Sequence, residues 1–146
     1  YDRVEVDPAA RFIGTMNYGY AGTRELNEAL TSRFAVIQMP AIGEEGLRRL
    51  LEDTFPTLEK KYREQFTQLF LELQQKCASA EISPKALDLR GLLDAIALIR
   101  RGLTAGTALD MGITNKAFDP YEQGLIRDVI AGRIAPKLDR ARLFSD

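Results

Sequence analysis

The chain has 146 residues, of which 45% are apolar and 28% charged, proportions typical of a folded globular protein. Its 20 basic and 21 acidic side chains balance each other, and this composition gives no support to a nucleic-acid-binding surface. The absence of histidine and the single cysteine, Cys77, exclude Ser–His and Cys–His catalytic pairs, an intrachain disulfide and thiolate metal clusters. We see neither an apolar run near the length of a membrane span, about 20 residues, nor a secretory signal, so we expect a cytoplasmic protein without a membrane segment.

The first part of the chain, residues 1–42, predicts the end of an α/β domain. Residues 12–16 and 34–39 form continuous apolar runs, which are typical of strands buried in a parallel sheet with helices on both faces. Between the two runs, Thr23 is a suitable N-cap for a helix that we expect to end near Ser32. Because a parallel sheet needs more strands than these, the others must precede this chain or come from another one.

From Gly43 onward the pattern is helical, and we place the boundary between the two parts at residues 40–43. The strongest signal is a helix opened by Thr57, whose apolar side chains recur at spacings of three and four residues as far as Cys77. We interpret this stripe as core packing and Cys77 as a small buried side chain. The sequence therefore predicts an all-α domain over residues 43–146 and a chain that is mainly α overall.

The later helices carry capping signals. Ser83 and Pro84 suit the N-cap and first turn of a helix that ends at the Arg-Arg-Gly sequence of residues 100–102. Residues 119–122, Asp-Pro-Tyr-Glu, have the form of a capping box that starts a further helix. The charged tail that begins at Ala135 is expected to be loosely held.

Four polar side chains are candidates for a functional site. Asn17 follows the first apolar run, at the sheet edge where ligands of open α/β folds bind, although it also suits an ordinary turn cap. Arg33 lies between the predicted helix and strand, where its guanidinium can reach a phosphate on a neighbouring molecule or complement a helix C-terminus. Arg90 lies near a helix start, where a cation opposes the helix dipole unless an anion is bound. Lys85 is the competing cation, and an ordinary solvent-exposed role is the alternative for Arg90.

The sequence FIGTMN at residues 12–17, followed by GTRELNEALTSRF at residues 22–34, resembles the second half of an AAA+ ATPase core, especially that of the MoxR/CbbQ branch related to dynein. In that family an asparagine ends the sensor-1 strand, a Leu-Asn-Glu-Ala helix leads to an Arg-Phe pair, and a helical lid follows. Residues 88–94, DLRGLLD, resemble the sensor-2 segment of the lid. The resemblance is specific over residues 11–40 and looser over residues 83–131.

This resemblance implies the end of a P-loop-type parallel sheet in residues 1–42 and a helical lid in residues 43–146. It implies that Asn17 is sensor 1 and positions the attacking water, that Arg33 is the arginine finger for the adjacent subunit, and that Arg90 is sensor 2. It also implies ATP and Mg²⁺ as cofactors of a full-length parent. Such a parent would form a homo-oligomeric, hexameric ring and remodel or activate a protein client, often beside a partner with a von Willebrand A domain.

Two motifs of the family are missing from these 146 residues. No Gly-x-x-x-x-Gly-Lys-Ser/Thr loop occurs, and no acidic pair follows an apolar strand before Phe12. We therefore expect ATP hydrolysis from the full-length parent, and we expect this chain alone to be inactive and to hold no cofactor tightly. Lys85 is an alternative to Arg90 as sensor 2, because some relatives place the cation directly after Ser-Pro.

A second hypothesis belongs to a different class of function. The chain would be a non-enzymatic helical interaction module, in which the apolar stripe from Leu58 to Cys77 binds a partner helix.

Overall fold

A computed structural model of the protein describes residues 3–16, 27–84 and 87–146, apart from the side chain of Leu30. The chain divides into two compact units, Tyr1–Pro40 and Ala41–Asp146. Over the described ranges the protein is mainly helical, as the sequence predicts. None of the helices in these ranges is long and apolar enough to cross a bilayer.

The described part of the first unit contains one short helix, α1 (Glu28–Thr31). The side-chain oxygen of Asn27 accepts a hydrogen bond from the Ala29 N–H at 2.7 Å, which is the usual way in which asparagine starts a helix. The last turn of the helix predicted between the two apolar runs is therefore present. Residues 23–26, where that helix was expected to begin, lie outside the described ranges.

The two strands predicted in this unit are not formed in the structure. Residues 12–16 and 34–39 have no strand pairing, and their large apolar side chains face solvent, with Ile13 93% exposed and Met39 86% exposed. Continuous apolar runs are typical of strands that have neighbours on both sides, and the described part of the chain supplies no neighbouring strand. The structure therefore does not show the sheet that these runs predict, and the two runs are exposed in it.

The second unit is built from helices that enclose one hydrophobic core. Helix α3 packs against α2 and α6, helix α4 packs mainly against α5, and a short 3-10 helix links α5 to α6. The elements are α2 (Glu44–Thr54), α3 (Lys60–Ala78), α4 (Leu89–Arg100), α5 (Ala105–Gly112), the 3-10 helix (Thr114–Lys116), α6 (Pro120–Arg133) and α7 (Arg140–Leu143).

The apolar stripe of α3 lies in this core, as the sequence predicts. Phe66, Leu69 and Leu73 are fully buried, and Leu58 is 2% exposed. Cys77 at the end of the stripe is partly buried, and desolvation raises the pKa of its thiol above the ordinary value. The stripe is therefore occupied by contacts within the unit itself.

The start of α3 and the C-terminal tail both differ from the prediction, for the same reason. Leu58 pairs with Phe144 in an isolated antiparallel bridge, and the Glu59 N–H donates to the Leu143 carbonyl at 2.8 Å. Because this segment is extended, α3 begins at Lys60 and not at Thr57. The tail is docked rather than loosely held, since Leu143 is fully buried and Phe144 is 5% exposed.

Helix α4 ends where its sequence indicates. Gly102 has a φ of 111°, a left-handed conformation that glycine adopts without steric cost. Its N–H donates to the Ile99 carbonyl at 2.9 Å, and the Leu103 N–H donates to the Leu98 carbonyl at 3.1 Å. This pair of hydrogen bonds is the Schellman arrangement that closes many helices.

Candidate functional site at the start of helix α4

The start of α4 is set by Asp88 and not by Ser83 and Pro84. Asp88 is extended, and its Oδ1 accepts a hydrogen bond from the Gly91 N–H at 2.6 Å, as an N-cap aspartate does. The prediction that this helix starts at Ser83 is wrong, because α4 begins at Leu89 with Asp88 as its N-cap. The N–H of Ser83 donates to a side-chain oxygen of Glu122, a residue of α6.

The same contact changes the predicted capping box of α6. Asp119 caps this helix, with its Oδ1 accepting from the Tyr121 N–H at 3.0 Å, and Pro120 occupies the first turn as predicted. Glu122 accepts from the backbone of Ser83, however, so it joins α6 to the segment before α4. A long-range contact has thus replaced the reciprocal hydrogen bond of the local motif.

A lysine from the 3-10 helix neutralises the carboxylate of Asp88. The Nζ of Lys116 lies 2.5 Å from Oδ2 of Asp88, and the two side chains are 36% and 47% exposed respectively. Burial raises the pKa of Asp88, but the hydrogen bonds from Lys116 and from the Gly91 N–H outweigh this effect. The pKa therefore lies below the ordinary value, and the cap is an anion with both oxygens engaged.

Helices α4 and α5 approach each other at two glycines beside this pair. A Cβ atom on Gly91 would overlap the carbonyl oxygen of Gly112, and one on Gly112 would overlap the carbonyl oxygen of Gly91. The same Cβ on Gly91 would lie 2.7 Å from the Nζ of Lys116. The absence of both side chains therefore lets Lys116 reach Asp88 across the crossing of the two helices.

Arg90 lies in the first turn of α4 with its side chain exposed. Within the described ranges its guanidinium makes no hydrogen bond or ion pair, although its charge contributes to the lowered pKa of Asp88. A cation at this end of a helix is disfavoured by the helix dipole by about 0.3–1 kcal/mol. The position thus presents a guanidinium that is available to an external anion.

The other predicted site residues lie either in the first unit or outside the described ranges. Arg33 belongs to the first unit, where it lies exposed in the turn after α1 and makes no ion pair with the residues that the structure describes. Asn17 and Lys85 lie outside the described ranges. The structure therefore describes Arg33 and Arg90, each within its own unit.

The chemistry of the described side chains suits a phosphate more than a metal ion. No group of three or more acidic, cysteine or histidine side chains that could hold a metal occurs in the described ranges. Arg90 can contribute a charge-assisted hydrogen bond to a phosphate oxygen.

Sequence reasoning found Arg90 but missed Lys116, Asp88 and Gly112. Asp88 carried a usable signal, because an aspartate directly before an apolar helical pattern is a good N-cap. Lys116 carried none, since it lies 28 residues from Asp88 and in a different element. The role of Gly112 depends on the crossing with α4 and is equally invisible to local patterns.

No protein-family model matches this chain, and no solved structure matches it. It is 31% identical over 117 residues to the uncharacterized protein YojN of Bacillus subtilis, a match that covers 80% of this chain and 38% of YojN. It is 29% identical over 127 residues to the uncharacterized protein SAOUHSC_01413 of Staphylococcus aureus, covering 87% of this chain and 48% of that protein. The chain thus spans less than half the length of these curated relatives. Their names state no activity, so the similarity assigns none to this chain.

Proposed function

We propose that this chain is the C-terminal part of a MoxR-like AAA+ ATPase, in which Arg90 binds the terminal phosphate of ATP as sensor 2. The observation that carries the proposal is the exposed guanidinium of Arg90 in the first turn of α4, beside a carboxylate that Lys116 already neutralises. A bound phosphate would offset the unfavourable interaction of this cation with the helix dipole. The resemblance of residues 88–94 to the sensor-2 segment supports the same role.

The exposed apolar runs of the first unit also support the proposal. Side chains such as Ile13 and Met39, at 93% and 86% exposed, are costly to leave in water when they lie in continuous runs. In a full-length AAA+ protein, residues 12–16 and 34–39 would be strands covered by the rest of a parallel sheet. Asn17 would then stand at the carboxyl end of the first strand as sensor 1.

The remaining parts of the proposal come from the family resemblance. Arg33 would enter the nucleotide site of the adjacent subunit as an arginine finger, which in such enzymes is worth about 10³–10⁵ in rate. The full-length protein would be a homo-oligomeric, hexameric ring in the cytoplasm. It would couple the hydrolysis of ATP with Mg²⁺ to the remodelling or activation of a protein client, often beside a partner with a von Willebrand A domain. The chain contains neither the P-loop nor the acidic strand motif, so this activity belongs to the longer protein.

The alternative is an interaction module that binds a partner helix through the apolar stripe of α3. In the structure this stripe is not an exposed surface. The residues of that stripe, from Leu58 through Phe66 to Leu73, are buried in the core of the second unit. Binding a partner there would require this core to open. No other described feature favours the module, so we retain the ATPase.

The direct test is steady-state ATP hydrolysis by the full-length protein with Arg90→Ala. Loss of a hydrogen bond to a charged phosphate costs about 1.5–3 kcal/mol, so we expect kcat/KM for ATP to fall roughly 10- to 150-fold. Arg101→Ala is the matched control, because Arg101 is an exposed arginine at the opposite end of the same helix. Equal activity of the two variants, or a coding sequence without a P-loop in the ~150 residues before Tyr1, would overturn the proposal.

A further inference from the structure

The contact between Lys116 and Asp88 has a second consequence, because Asp88 is also a close anionic neighbour of Arg90. Asp88 precedes Arg90 by two residues and is separated from it by no other charged side chain. Arginine and a carboxylate form strong, often bidentate hydrogen bonds when both are available. In the structure Oδ2 of Asp88 is bound to Lys116 and Oδ1 to the Gly91 N–H, and the guanidinium of Arg90 is not bound to either oxygen.

We infer that Lys116 is a positioning residue: by occupying the carboxylate of Asp88, it keeps the guanidinium of Arg90 free to bind an anion. This inference rests on the proposed role of Arg90 as the phosphate-binding arginine. Lys116 itself need not touch the phosphate. Without it, Oδ2 of Asp88 would lose its partner, and the carboxylate would form an ion pair with Arg90 that a phosphate must break.

The crossing of α4 and α5 fixes the geometry that this role requires. Gly91 and Gly112 allow the two helices to approach until no Cβ fits between them. Lys116 lies in the 3-10 helix that follows Gly112. The ammonium group of Lys116 thereby reaches Oδ2 of Asp88, while Oδ1 accepts the hydrogen bond from the Gly91 N–H. Asp88 and Lys116 belong to two different elements, the start of α4 and the 3-10 helix, and neither contact depends on the side chain of Arg90.

Asp94 provides an internal comparison. It lies one helical turn beyond Arg90 at a spacing of four residues, the distance at which opposite charges on a helix can meet. It is exposed and forms no ion pair with Arg90 in the structure. If the availability of Arg90 depended only on the number of nearby acidic groups, removing Asp94 would have the same effect as removing Asp88.

The test is a double-mutant cycle in the full-length protein, with the KM for ATP as the measured quantity. Lys116→Met retains the aliphatic stem and removes the charge, and we expect KM to rise about 3- to 10-fold, within the usual range of coupling between neighbouring groups. Lys116→Met combined with Asp88→Asn should return KM to within about twofold of Asp88→Asn alone, since asparagine caps a helix equally well but does not attract Arg90. Lys116→Arg should retain most of the wild-type affinity.

The outcomes separate this inference from the proposed function. If Arg90→Ala leaves KM and kcat unchanged, the phosphate-binding role itself fails. If Arg90→Ala weakens binding but Lys116→Met does not, or if Asp94→Asn rescues Lys116→Met as well as Asp88→Asn does, the inference about Lys116 is wrong while the proposed function stands.

A measurement on the 146-residue chain tests the same point without ATP. The Nε–H signal of Arg90 in an NMR spectrum should shift with the protonation of Asp88 much more strongly in Lys116→Met than in the wild-type chain. An unchanged titration in a variant that keeps the wild-type melting temperature would overturn the inference.

Discussion

Gly91 of α4 and Gly112 of α5 face each other so closely that a Cβ on either residue would overlap the backbone carbonyl oxygen of the other. Backbone atoms cannot rotate away as a flexible side chain can, so a methyl group here must push the two helices apart. This crossing supports both the N-cap of α4 and the reach of Lys116 to Asp88.

The first prediction concerns that crossing. Gly91→Ala should destabilise the protein by about 1–3 kcal/mol or more, as overpacking of a close contact does. The matched control is Gly124→Ala in α6, where an added Cβ meets nothing, and where replacing a helical glycine should stabilise by about 0.5–1 kcal/mol. Urea unfolding followed by circular dichroism measures both, and equal free energies of unfolding would contradict the packing of α4 on α5.

The second prediction concerns the C-terminal segment. Leu143 is fully buried, so Leu143→Ala should lower the free energy of unfolding by about 2–5 kcal/mol. The neighbouring Arg142→Ala removes an exposed side chain and should change stability by at most about 0.5 kcal/mol. A loosely held tail would instead give two equally small effects in the same unfolding measurement.

The third prediction concerns acid pH. The hydrogen bond from Arg48, followed by one from Gln68, lowers the pKa of Glu64 to about 2. Because the folded pKa is below the unfolded value of about 4.3, this carboxylate stabilises the protein at pH values above both and ceases to do so as the pH falls through about 2. Glu64→Gln should therefore be less stable than the wild type near pH 6, and the difference should shrink as the pH falls toward 2.

Thermal melting over this pH range in low salt measures the effect. The side chains of Arg48 and Glu64 are 43% and 46% exposed, so solvent and salt screen this ion pair. Its contribution to the free energy of unfolding will therefore be small. Glu45→Gln is the control, because Glu45 is exposed on α2 and makes no ion pair within the described residues. A stability difference between wild type and Glu64→Gln that is constant over this pH range would contradict the assigned contact.

The fourth prediction tests the proposed arginine finger. In the full-length protein, Arg33→Ala should abolish ATP turnover and leave nucleotide binding nearly unchanged, because the residue would act on the site of the adjacent subunit. Mixing this variant with a subunit whose P-loop is mutated should restore part of the activity, since each would supply the element that the other lacks. Failure of mixed rings to recover any turnover would contradict a role in trans.

Local sequence signals predicted much of the helical unit. Arg100 to Gly102 marked the end of α4, and Asp119 with Pro120 marked the start of α6, because capping depends on residues that are neighbours in the chain. The stripe of α3 identified the core because burial imposes a helical period. These features were accessible without knowledge of any distant contact.

The errors occurred where a distant residue decides the local structure. Thr57 does not open α3 because its segment pairs with residues near Phe144. Ser83 does not cap α4, which begins after Asp88, and the N–H of Ser83 contacts the distant Glu122. The sheet predicted for the first unit is a different case: it needs strands from outside this chain, so it is not shown here and stays a prediction. In the candidate site, Arg90 was visible as an out-of-place cation, whereas Lys116 became relevant only through the crossing of two helices.

Helix α4 connects the candidate site at Arg90 with the C-terminal residues of the chain. Its 12 residues form a rod about 18 Å long, with Arg90 near one end and Arg100 at the other. The Cζ of Arg100 lies 5.9 Å from the centroid of the Phe144 ring, and its Nη2 lies 2.8 Å from Oδ2 of Asp146. If binding of a group at Arg90 tilted α4, the contacts of Arg100 would therefore move Phe144 and Asp146. The bridge between Phe144 and Leu58 would pass this movement on to the segment that leads into α3.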